Sequence, residues 1–158
     1  MRKGLELEED LRSSRFNLGR ILEARGQVAD AERLYREELA QFADNGRARF
    51  NLAQLARQRG DEAGFLAELR ASTEKAPEFG PAFFFLAREE LRAGRLDAAA
   101  GLARKGLAVD KGSQVAPLGH YVLADVYNRQ GKAAEAAGEV AKARQIQAGR
   151  RHAPAAGS

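Results

Sequence analysis

Four glycines at nearly constant spacing constrain the fold of this chain more than any other feature. They are Gly26, Gly60, Gly94 and Gly131, and successive glycines are separated by 34, 34 and 37 residues. The segment that begins Phe16-Asn17-Leu18 returns as Phe50-Asn51-Leu52, and apolar residues at helical spacing stand on both sides of each glycine. A fixed period of this length with two helices per period predicts a helix–turn–helix solenoid, in which each unit buries its apolar face against its neighbours.

The residues around these glycines resemble the tetratricopeptide repeat (TPR). The first repeat supplies Leu18, Gly19, Leu22, Gly26, Ala31 and Tyr35, and the fourth supplies Leu123, Ala124, Tyr127, Gly131, Ala136, Val140 and Ala143. The resemblance implies four repeats, at about 12–45, 46–79, 80–113 and 117–148, in an all-α, right-handed solenoid of about eight helices. Three positions depart from the repeat pattern, because Glu38 and Phe65 replace small residues and Glu90 replaces an apolar one.

The same periodicity sets the expected limits of the domain. We expect an N-terminal lead-in over residues 1–11, a TPR domain over 12–148 and a disordered C-terminal tail over 149–158, where no apolar period continues. The last helix is predicted to run over 133–148. Its outer positions Val140 and Ile146 suggest weak homodimerisation, or docking onto another domain, through residues 133–148.

Composition excludes some classes of protein. The chain has 158 residues, of which 44% are hydrophobic and 30% charged, with a net charge of +4, so we expect a folded domain and not a disordered chain. The sequence contains no run of about 18 apolar residues, so no membrane-spanning helix is predicted. The first residues lack the apolar core of a secretory signal, so a cytoplasmic location is the simplest expectation, although the chain can also be a fragment of a longer protein.

The sequence offers little for catalysis, and we expect a non-enzymatic protein without a metal or other cofactor. There is no cysteine, no phosphate-binding loop and no zinc-binding motif. His120 stands near the start of a predicted helix, where a packing or surface role is expected. The pairs Glu37-Glu38 and Glu89-Glu90 point about 100° apart on a helix and do not form an acid/base pair.

The first helix of each repeat carries the predicted binding residues, because in the TPR family these helices line a concave groove. The fifth position of the repeats is aromatic throughout, with Phe16, Phe50, Phe84 and Tyr121. Such a stripe either contacts a ligand or seals the junction between repeats. The sixth position holds Asn17 and Asn51, and the resemblance implies that these amides hydrogen-bond the backbone of an extended peptide.

Arginines dominate the remaining groove positions. They are Arg20, Arg47, Arg57, Arg88, Arg92 and Arg129, against the two acids Glu23 and Asp125. Since guanidinium groups bind carboxylates in a bidentate manner, the expected partner is an acidic peptide segment. The carboxylate clamp that holds chaperone C-termini is not expected, because only Asn51 matches its pattern.

These features predict a protein–protein interaction module that holds a peptide or partner segment in its groove. One alternative is an accessory TPR region of a larger enzyme or an assembly scaffold, since residues 118–132 show a short similarity to repeat tails of sulfatase-like hydrolases. Nucleic-acid binding is less favoured, because no base-reading pattern recurs from repeat to repeat.

Overall fold

The helices follow the glycine-defined repeats. The computed structural model describes residues 2–152, and these form eight α-helices and no strand. The helices are α1 (Arg2–Ala24), α2 (Val28–Gln41), α3 (Gly46–Gln58), α4 (Glu62–Lys75), α5 (Gly80–Arg92), α6 (Leu96–Val109), α7 (Ala116–Arg129) and α8 (Ala133–Arg151). The predicted all-α fold of four helical hairpins is confirmed.

Each of the four repeating glycines forms the turn inside a hairpin. Their φ angles lie between +74° and +80°, a region that a side chain disfavours. In the first hairpin the N–H of Gln27 donates to the carbonyl of Leu22 at 2.8 Å, and in the second the N–H of Asp61 donates to that of Ala56 at 2.9 Å. This bond across the turn closes the helix end, which explains why glycine recurs at the position before it.

Both ends of the helical region extend beyond their predicted limits. Helix α1 begins at Arg2, so residues 2–11 continue the first helix and do not form a separate lead-in. Helix α8 continues to Arg151, beyond Gly149 where the tail was expected to begin. The rest of the predicted tail, residues 153–158, lies outside the described residues.

The chain divides into two compact units, residues 1–77 (unit 1) and 78–158 (unit 2). In unit 1, α1 packs on α2, α2 on α3 and α3 on α4. In unit 2, α5 packs on α6, α6 on α7 and α7 on α8, and α5 also packs directly against α7. The core of unit 1 surrounds Tyr35, Leu52 and Leu55, whereas alanines form much of the core of unit 2, with Leu123 and Val126.

The three departures from the repeat pattern are all buried. Phe65 of α4 is 1% exposed, and Glu38 of α2 is fully buried. The Glu38 carboxylate accepts a hydrogen bond from Asn45 Nδ2 at 2.9 Å. Asn45 is also the N-cap of α3, because its Oδ1 accepts from the N–H of Ala48 at 3.1 Å. In unit 2 the carboxylate of Glu90 binds the guanidinium of Arg95.

Within residues 2–152, no helix combines the length and the apolar character needed to cross a membrane.

Candidate functional site

An open pocket of about 400 Å³ lies in unit 1 between the inner faces of α1 and α3. We call it the α1–α3 pocket. It is lined by Arg20, Glu23 and Ala24 from α1, by Val28 at the start of α2, and by Asn51 and Gln58 from α3. Two of the predicted site residues, Arg20 and Asn51, therefore share one surface.

Helix geometry places further predicted residues on the same two faces. Asn17 precedes Arg20 by three residues and Ala24 by seven, so it lies on the face of α1 that enters the pocket. Arg47 precedes Asn51 by four residues and so extends the corresponding face of α3. Asn17 and Arg47 are both exposed.

A buried tyrosine holds the polar groups of the pocket in place. Tyr35 is fully buried. Its hydroxyl donates to Glu23 Oε2 at 2.8 Å and accepts from Asn51 Nδ2 at 3.1 Å. Burial raises the pKa of Tyr35, and the nearby Glu23 carboxylate raises it further although the hydrogen bond from Asn51 opposes this, so the hydroxyl stays a donor. One amide hydrogen of Asn51 is thus used internally, and its carbonyl oxygen stays available to a ligand.

Three of the predicted groove arginines lie in unit 1, and they have few internal partners. Arg20 and Arg47 are exposed, and neither forms an ion pair with any described residue. Arg57 is also exposed, and its guanidinium lies 5.6 Å from the centre of the Phe65 ring. Because no carboxylate of the described chain forms an ion pair with them, Arg20 and Arg47 present free guanidinium groups on the two helix faces that form the pocket.

The three predicted groove arginines of unit 2 are paired with neighbouring acids. Glu89 lies 3.1 Å from Arg88 and 3.3 Å from Arg92. Arg129 is 3.2 Å from Asp125 and also donates to the carbonyl of Leu91 at 3.4 Å. These three predicted site residues therefore have part of their hydrogen-bonding capacity satisfied within unit 2.

The predicted aromatic positions differ in exposure. Phe16 is half-buried and its ring centre lies 5.8 Å from that of Tyr35. Phe50 is also half-buried, and Tyr121 is exposed, with its hydroxyl 3.2 Å from Gln147 Oε1. Phe84 is fully buried, so the expectation that it lines an open groove is wrong.

Two glycines explain the burial of Phe84. A β-carbon at Gly106 of α6 would lie 2.6 Å from the Phe84 ring, and one at Gly119 of α7 would lie 2.7 Å from it. The ring occupies the space that these missing side chains leave, and it fills the core of unit 2.

Some residues of the pocket were not predicted from the sequence. Gln58 lies seven residues after Asn51 and Ala24 lies four after Arg20, and this helical spacing was the available signal. The role of Glu89 was also missed. It precedes Arg92 by three residues, the spacing of an ion pair on a helix, but the sequence pattern was considered only for an acid/base pair with Glu90.

His120 belongs to a polar cluster between α7 and α8. Its Nδ1 lies 2.6 Å from Glu139 Oε2, and Lys142 Nζ donates to Glu139 Oε1 at 3.0 Å. Burial raises the pKa of Glu139, but the hydrogen bonds from His120 and Lys142 outweigh it and hold that pKa below its usual value. The described residues contain no group of three or more side chains arranged to hold a metal ion.

The hairpin repeats and the pocket between successive first helices define an all-α helical-repeat protein. Residues 16–78 and 86–152 match the model of the tetratricopeptide repeat. The chain therefore belongs to the tetratricopeptide-repeat family, as its sequence predicted. Membership of this family supports a role as a protein-interaction module, since such proteins are generally non-enzymatic scaffolds.

Solved structures of MamA are similar in fold. One has a TM-score of 0.66 at 15% identity, covering 96% of this chain and 87% of that chain. A second has a TM-score of 0.64 at 18% identity, covering 89% and 75%. A third, MamA AMB-1, has a TM-score of 0.60 at 21% identity, covering 89% and 73%. No protein of curated function matches the sequence significantly.

Proposed function

We propose that unit 1 binds an acidic peptide segment of a protein partner along the α1–α3 pocket. The observation that carries the proposal is that Arg20 and Arg47, which flank the pocket, form no ion pair within the described chain. An exposed arginine without an internal partner keeps its donors for a ligand, and carboxylates match its geometry. No catalytic step is part of this proposal.

The pocket supplies two kinds of recognition. Arg20 and Arg47 attract carboxylates and speed the encounter, since charges at the rim of an interface act mainly on association. The Asn51 carbonyl, held by the bond from its amide to Tyr35, accepts a hydrogen bond from a backbone N–H of the peptide. Charge thus selects acidic segments, and the fixed amide orients an extended backbone.

This proposal assigns ligand binding to fewer arginines than the sequence predicted. All six arginines were expected to contribute, but Arg88, Arg92 and Arg129 already contact acids of unit 2. We therefore assign capture to Arg20 and Arg47, with Arg57 in a secondary role because its guanidinium lies beside the Phe65 ring. We also propose that the protein acts in the cytoplasm.

A peptide array tests the proposal directly. The probes are short peptides that contain Asp and Glu, together with the same sequences carrying Asn and Gln. We expect the native chain to retain acidic members and to release their amide counterparts. The double variant Arg20→Glu with Arg47→Glu should lose this binding by about tenfold or more, while circular dichroism shows unchanged helix content.

Two results would contradict the proposal. Equal binding of the acidic and amide peptides would show that charge does not select the ligand. Retention of acidic peptides by the double variant would show that the α1–α3 pocket is not the site. Stronger binding of single-stranded RNA, with a steep dependence on salt, would instead favour a nucleic-acid ligand.

Self-association through residues 133–148 stays a second and weaker proposal. Val140 and Ile146 on α8 are half-buried, so little apolar surface is available there. Sedimentation of the double variant Val140→Glu with Ile146→Glu tests it, and an unchanged sedimentation profile would contradict it.

A further inference from the structure

An exposed apolar stripe runs along α1 on a face that the α1–α3 pocket does not use. Its members are Leu7, Leu11, Leu18 and Ile21, with exposed fractions of 63, 48, 48 and 50%. Together with Ser14, they follow each other at alternating spacings of four and three residues, which is the spacing of a coiled-coil seam. From Leu7 to Ile21 the stripe is about 21 Å long.

The opposite side of α1 is already packed within unit 1. Gly19 is buried, and a β-carbon there would lie 2.6 Å from the Tyr35 ring of α2. The pocket residues Arg20, Glu23 and Ala24 are centred about 150° around the helix from the stripe. The stripe is therefore a separate surface, and its concentration of exposed aliphatic side chains is typical of an association site.

The charges beside the stripe indicate which partner covers it. Asp10 flanks the stripe near its N-terminal end, and Arg25 continues it just beyond α1, where its N–H still donates to the Ile21 carbonyl at 3.1 Å. Both side chains are exposed, and neither forms an ion pair with a described residue. If two α1 helices packed in parallel, Asp10 would lie beside the partner's Asp10 and Arg25 beside the partner's Arg25, and these like charges would repel. If the helices are antiparallel, Asp10 lies near the partner's Arg25 and the opposite charges attract.

We propose that the stripe binds the same stripe of a second copy of this chain, with the two α1 helices antiparallel. In this register Leu11 faces the partner's Ile21, Ser14 faces the partner's Leu18, and Leu7 packs along the aliphatic part of the partner's Arg25. The two-fold symmetry repeats each contact, so the interface closes as a dimer and does not extend into a fibre. The α1–α3 pocket stays open in this arrangement.

The dimer is weak because the stripe is short. It provides four large apolar side chains from each copy, fewer than the 20–30 residues on each side of a stable interface. We therefore expect a dissociation constant of about 10–100 µM. Sedimentation of the native chain from roughly 1 µM to 1 mM should show a monomer–dimer equilibrium in this range. A monomer throughout would overturn the proposal.

A matched set of variants locates the contact. The double variant Leu11→Glu with Leu18→Glu should weaken the dimer by about tenfold or more, because it places unpaired charges in the seam. Val109→Glu is the control, since Val109 of α6 is as exposed as Leu11 but lies outside the stripe. A dimer that resists the double variant, or that depends on the α8 variant Val140→Glu with Ile146→Glu, would overturn the assignment to α1.

Two further measurements test the orientation. Asp10→Arg and Arg25→Asp should each weaken the dimer by about 3–10-fold, and their combination should restore it. The chain contains no cysteine, so Leu11→Cys and Ile21→Cys can be introduced separately and the two proteins mixed. Oxidation should give the mixed disulfide between positions 11 and 21. Preferential formation of the 11–11 or 21–21 species, or no restoration by the double charge exchange, would overturn the antiparallel arrangement.

Discussion

The first hairpins of units 1 and 2 differ in the size of the side chain at one equivalent position of their second helices. Glu38, Ser72 and Gly106 are one repeat of 34 residues apart and occupy the same place in their second helices. In unit 1, Glu38 fills this place and Phe16 stays half-buried. In unit 2, Gly106 leaves the place open and the equivalent Phe84 enters the core completely. An aromatic residue at this repeat position therefore enters the core where glycines on the neighbouring helices leave room for its ring, as Gly106 and Gly119 do for Phe84.

The predicted groove arginines of the two units also differ in their ion pairs. In unit 2, Glu89 pairs with Arg88 and Arg92, whereas Arg20 and Arg47 of unit 1 have no ionic partner among the described residues. The repeat pattern is the same, but one neighbouring acid removes two arginines from the surface charge available to a ligand. The binding surface of a repeat protein thus depends on its non-repeating residues.

The largest expected difference concerns the two phenylalanines. Phe84→Ala should lower the free energy of unfolding by about 3–5 kcal/mol, because it leaves a cavity in the core of unit 2. Phe16→Ala should cost about 1–2 kcal/mol, because this side chain is already half-exposed. Urea denaturation followed by circular dichroism measures both. Equal losses would show that the two rings have the same packing role.

The next effect concerns the buried Glu38 of unit 1. Asn45→Ala should destabilise the protein by about 1–3 kcal/mol, since it removes both the cap of α3 and the donor to Glu38. Asn45→Ser keeps a capping oxygen but loses the bond to Glu38. The stability that this variant loses, which should be smaller than for alanine, therefore measures the contribution of that bond. If serine restores full stability, the bond between Asn45 and Glu38 contributes nothing.

The arginine comparison predicts a gain of binding. Glu89→Gln should release Arg88 and Arg92 and increase retention of acidic peptides about threefold, by adding free guanidinium groups in unit 2. Glu62→Gln makes the same change of net charge at an exposed position and is the control. A similar gain in both variants would attribute it to net charge alone.

The smallest effect is the pH dependence of the cluster between α7 and α8. The pKa of Glu139 is lowered from its ordinary value of 4.5, so the unfolded chain binds this proton more tightly than the folded chain. Its contribution to stability is complete above pH 4.5 and is lost as the pH falls through the lower folded pKa. Thermal unfolding between about pH 3 and 6 should therefore show a shallower acid-side decline for Glu139→Gln. A parallel decline in both proteins would contradict this role.

Local interactions made much of the fold predictable. The glycine at each turn and the apolar spacing on either side depend only on residues near in sequence, so four hairpins and their boundaries could be derived from them. The ends were less well placed, since α1 begins at Arg2 and α8 continues to Arg151. Those segments carry a helical propensity that the repeat pattern does not report. Arg20 and Asn51 were predicted as site residues because they fall on the inner face of a repeat, and they do line one pocket.

The sequence by itself determined the family, the hairpins and the surplus of arginines on the first helices. Only the tertiary structure decided that Phe84 is buried between Gly106 and Gly119, and that Tyr35 joins Glu23 to Asn51. The physical reason is that helix formation depends on contacts between residues three or four apart, whereas burial and pairing depend on side chains that meet across helices. A repeated sequence pattern therefore reproduces the contacts within each helix, but not the side-chain contacts between helices.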